Sequence, residues 1–67
     1  MSPLRTHAQR IAAAAVERHA HRVSPEHREA VAEIASAVAT AVARALEEAA
    51  VTDPVLARAL DAHAERG

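Results

Sequence analysis

The sequence predicts an all-α fold: a helical hairpin with a short third helix, completed as a helical bundle by dimerisation. Three observations carry this expectation. Of 67 residues, 20 are alanine, and together with arginine, glutamate and leucine they fill long stretches with strong helix formers. No continuous β-branched run offers a strand. The three prolines each follow a residue able to cap a helix, as Ser2-Pro3, Ser24-Pro25 and Asp53-Pro54. Proline suits the first helical position, where its missing N–H would be unpaired anyway, and Ser or Asp before it can accept from the exposed amides.

These signals place helices over residues 3–22, 25–50 and 54–65 in one small domain spanning 1–67. In the first helix, Leu4, Ala8, Ile11, Ala12, Ala15, Val16 and Val23 share one side at 100° per residue. The second puts Val31, Ile34, Val38, Val42, Ala45, Leu46 and Ala49 on one face. Opposite fall Glu26, Glu29, Glu33, Ser36, Thr40, Arg44 and Glu47. The third groups Leu56, Ala59 and Leu60. The connections at Val23-Ser24 and Val51 to Asp53 are short, which makes consecutive helices antiparallel neighbours. At about 1.5 Å per residue the second helix spans about 39 Å and the first about 30 Å, so the second projects past its partner.

The apolar residues comprise 20 Ala, 7 Val, 4 Leu, 2 Ile and 1 Met. The thirteen branched aliphatics offer about 20–40 kcal/mol of gross burial before ordering entropy is subtracted, which is thin for a monomer. With no cysteine, disulfides and thiolate metal sites are closed, and oligomerisation is the remaining way to add core. Val31, Ile34, Val38, Val42 and Leu46 are expected to form the shared interface, with Ile11 and Ala15 from the first helix and Leu56 and Leu60 from the third. Their repeat of four suits ridge-into-groove packing and argues against a long coiled coil.

Net charge is −1, but the chain is polar along its length. Four arginines and one glutamate precede Ser24, while four arginines and eight acids follow Val23. Attraction between a basic and an acidic helix explains this. Nucleic-acid binding, as by a small regulator, is the alternative, but Arg5, Arg10, Arg18 and Arg22 point in different directions and no aromatic is present for base stacking. The longest apolar runs, Ile11–Val16 and Ile34–Ala43, fall short of the about 20 residues that span a bilayer. The cysteine-free composition is compatible with the cytoplasm, where the chain is expected to reside. Arg5 and Arg10 without a nearby acid also suit a transit peptide, although a folded first helix accounts for the same residues.

Five histidines are the chain's main chemical resource. His7 and His21 fall on the wet side of the first helix with Arg10 and Glu17. His19, His27 and His63 fall on apolar sides and are the candidate metal ligands, for zinc or another transition metal, should imidazoles meet at a dimer axis. The alternative reading of all three is packing, with an interface that responds to pH. No catalyst is expected: there is no Cys, Lys or Tyr and no phosphate-cradling loop, while Ser2 and Ser24 are explained as caps.

The segment SPEHREAVAEIASAV, Ser24 to Val38, resembles the start of a helix in the C-terminal dimerisation region of glutamyl-tRNA reductases. The resemblance covers about a quarter of the chain, and that family's catalytic and nucleotide-binding domains have no counterpart here. It implies a dimerising helical element and no reductase activity. The sequence thus points to a non-catalytic association module. Its expected partner is a second copy, or a larger protein to which the chain serves as an accessory or scaffold subunit. A histidine-based metal or ligand module is the alternative.

Overall fold

The computed structural model describes residues 3–66. Ser2, the expected first cap, and Gly67 lie outside them. Three helices follow in order, α1 (Pro3–Arg18), α2 (Arg28–Val51) and α3 (Pro54–Arg66), and the described residues contain no strand.

The first helix ends earlier than its composition predicts. After Arg18 the chain tightens into a 3₁₀ turn over Ala20–Arg22, in which Arg22 N donates to His19 O (3.0 Å) and Val23 N to Ala20 O (3.1 Å). Val23 and Ser24 are then extended, at φ −116°, ψ 130° and φ −59°, ψ 142°. Clash with the proline ring bars the residue before it from the helical region, so the reversal falls here. A second 3₁₀ turn, Pro25–His27, leads into α2, and the Ser24 side chain caps nothing. Its carbonyl accepts from His27 N (2.9 Å) instead. The Arg28 guanidinium donates to Val23 O (3.4 Å) across the bend.

The second connection behaves as its residues dictate. Thr52 and Asp53 close α2 by donating to Ala49 O and Ala50 O, and Pro54 prevents continuation. Asp53 Oδ1 accepts from both Val55 N and Leu56 N at 3.1 Å, the bond pattern of an N-cap. Asp53→Ala is expected to cost about 1 kcal/mol and lower the melting temperature by about 4–8 °C, measured by circular dichroism.

Helices α1 and α2 run antiparallel: Gln9 in the first half of α1 pairs with Ser36 and Thr40 midway along α2, while Val16 and Glu17 near its end lie beside Glu29 and Ala32 at the start of α2. What meets α1 is not the branched ridge of α2 but its alanine stripe. Ala39 and Ala43 are buried, Ala43 completely, and Ala35 is half-covered. Side chains this small let two backbones approach closely and fill the contact without voids. Ser36 and Thr40, expected on the wet face, turn toward α1 for the same reason: the helix is rotated about its axis relative to the hydropathy pattern. In α3 the covered residues are Leu56, Ala57, Leu60 and Ala64, while Ala59 is exposed. Leu56 and Leu60 thus lie on the covered side of α3, which packs against both other helices.

Candidate association surface

Because alanine occupies the internal contact, the larger aliphatics are left outside. Ile11, Val38 and Val42 are 52%, 56% and 51% exposed, and no large side chain among the described residues is fully buried. They gather along one side of the hairpin. Leu4, Ile11, Ala15 and His19 of α1 and Val31, Val38, Val42 and Leu46 of α2 line an open groove of about 610 Å³. No lining residue carries a formal charge apart from what His19 can acquire, and α3 contributes nothing to it.

Of the nine residues expected at an interface, six thus line this groove: Ile11, Ala15, Val31, Val38, Val42 and Leu46. Ile34 does not. It is exposed beyond the rim, since the rotation that buries Ala39 and Ala43 carries it away from α1. Leu56 and Leu60 are outside as well, on the covered side of α3.

The shape of the chain bears on what this groove can do. Its surface is 5132 Å², whereas a compact monomer of 7.1 kDa exposes about 4100 Å². Its radius of gyration is 13.7 Å against about 11 Å for a compact domain of this length, and its long axis reaches 43 Å. The surplus is about 1000 Å² per chain.

A polar clasp on the other side of the α1–α2 contact holds the two groove walls in register. Gln9 Nε2 donates to Thr40 Oγ1 (2.6 Å) and to the Ser36 carbonyl (3.0 Å), and Ser36 Oγ donates to Gln9 Oε1 (2.9 Å). One side chain thereby uses both ends of its amide across the helix pair, and sliding α2 by one residue would break all three bonds. Gln9→Ala is expected to destabilise the chain by about 1–2 kcal/mol in a urea titration.

Two histidines, His7 and His27, lie away from their expected sides. His7, placed on the wet face by pattern, is 8% exposed and the one buried polar residue among those described. The arrival of α3 covers it, and α3 follows 35 residues of turn and helix that a local pattern in α1 cannot anticipate. His63 is the residue that meets it, with His63 Nδ1 3.2 Å from His7 Nε2. His19 lines the groove. His27 is exposed, not on an apolar side, and its Nε2 lies 3.5 Å from Glu26 Oε1 with both side chains largely in solvent. His19, His27 and His63 therefore do not converge within one chain. Among the described residues no group of three His, Cys, Asp or Glu is placed to hold a metal ion.

Arg5 is half-buried while Arg10, Arg18 and Arg22 are exposed. Arg10 shares a cavity with Asp61 and Glu65 of α3, so the first helix offers no continuous basic stripe. No helix among the described residues is long and apolar enough to cross a membrane. Comparison of the chain with known protein families, with curated proteins and with solved structures finds no match in any of the three.

Proposed function

We propose that the chain is a non-catalytic α-helical association module that acts as a homodimer, two copies joining their α1–α2 grooves across a two-fold axis to build a four-helix core. The observation that carries this reading is the exposure of Ile11, Val38 and Val42 along a groove without formal charge. A second copy suits it because an isologous contact sets each residue against its own surface, and no like charges are then opposed. The area agrees: a surplus of about 1000 Å² per chain compares with the about 800 Å² per partner that a stable interface buries. The likeness of Ser24 to Val38 to a dimerisation helix points the same way. A cysteine-free chain of this kind suits the cytoplasm.

Sedimentation equilibrium over a wide concentration range tests the proposal. The expected result is a species of twice 7.1 kDa that dissociates on dilution with loss of helicity. A fully helical monomer at every concentration would overturn the homodimer and leave the groove to a different protein.

A further inference from the structure

We draw no further inference here: the strongest candidate, the His7–His63 side-chain pair between α1 and α3, turns two imidazole nitrogens toward each other but has no third ligand among the described residues and no acceptor for the proton that metal binding would place on the buried Nδ1 of His7, so it carries no metal site.

Discussion

Val38→Glu is expected to convert the protein to a monomer at concentrations where the wild type is dimeric. Val38 is 56% exposed in the single chain, so a carboxylate there meets water and clashes with nothing inside the hairpin. In a groove-to-groove dimer the same position is covered twice, once per copy. An unpaired buried charge costs several kcal/mol, and two of them raise the dissociation constant roughly a thousandfold or more. Ala37→Glu, one residue away on an exposed position of α2, supplies the control and should leave the mass at twice 7.1 kDa. Light scattering on a sizing column reads both variants. Equal effects of the two, or none from Val38→Glu, would remove the groove as the interface.

Ala43→Leu should be the most damaging apolar substitution in the chain. Ala43 is wholly buried one turn beyond Ala39 on α2, and three added carbons have no room to enter. Overpacking of this kind costs about 1–3 kcal/mol. Here it also pushes the helices apart and strains the Gln9 clasp to Ser36 and Thr40. Ala41→Leu changes the same residue type to the same product on an exposed position of α2 and should stay within about 0.5 kcal/mol of the wild type. Thermal unfolding followed by circular dichroism separates the two. The contrast tests the central claim of the fold, that alanine, the smallest residue able to form a good helix, holds the hairpin together.

Both variants matter because the chain has so little core to lose. A contact built from alanine buries little apolar surface, at about 0.8 kcal/mol per buried CH₂, and a hairpin sealed by Ala39 and Ala43 alone is marginal. The residues that could add several kcal/mol, Ile11, Val38 and Val42 above all, stand in the groove. In the proposed dimer, association and folding would be linked, the second copy covering the part of the core that a single chain leaves outside.

Helix placement was legible from composition and capping chemistry. Proline after Ser24 and after Asp53 fixes where helices cannot continue, and the ends of α2 and α3 fall within a few residues of the positions these signals indicate. The one early stop, at Arg18, reflects two 3₁₀ turns on either side of the Val23-Ser24 reversal, where the chain trades i→i−4 bonds for tighter ones. Six of the nine residues expected at an interface line the groove, because the branched aliphatics of an amphipathic helix mark its apolar side whichever partner covers it.

Local chemistry, then, settles which residues are helical, where the turns fall and that apolar surface exceeds what one short chain can hide. Packing settles how α2 is rotated about its own axis. Hydropathy ranks alanine below valine, so the pattern put the ridge at the centre of the apolar side. Two helices in contact gain more by approaching closely, and the spacing of Ala35, Ala39 and Ala43 at every fourth residue was the signal for that stripe. The same packing turns Ser36 and Thr40 inward to Gln9 and carries Ile34 past the groove. It also brings α3 down on His7, 56 residues from His63, a distance in sequence over which no periodicity speaks and only the folded chain can place two rings 3.2 Å apart.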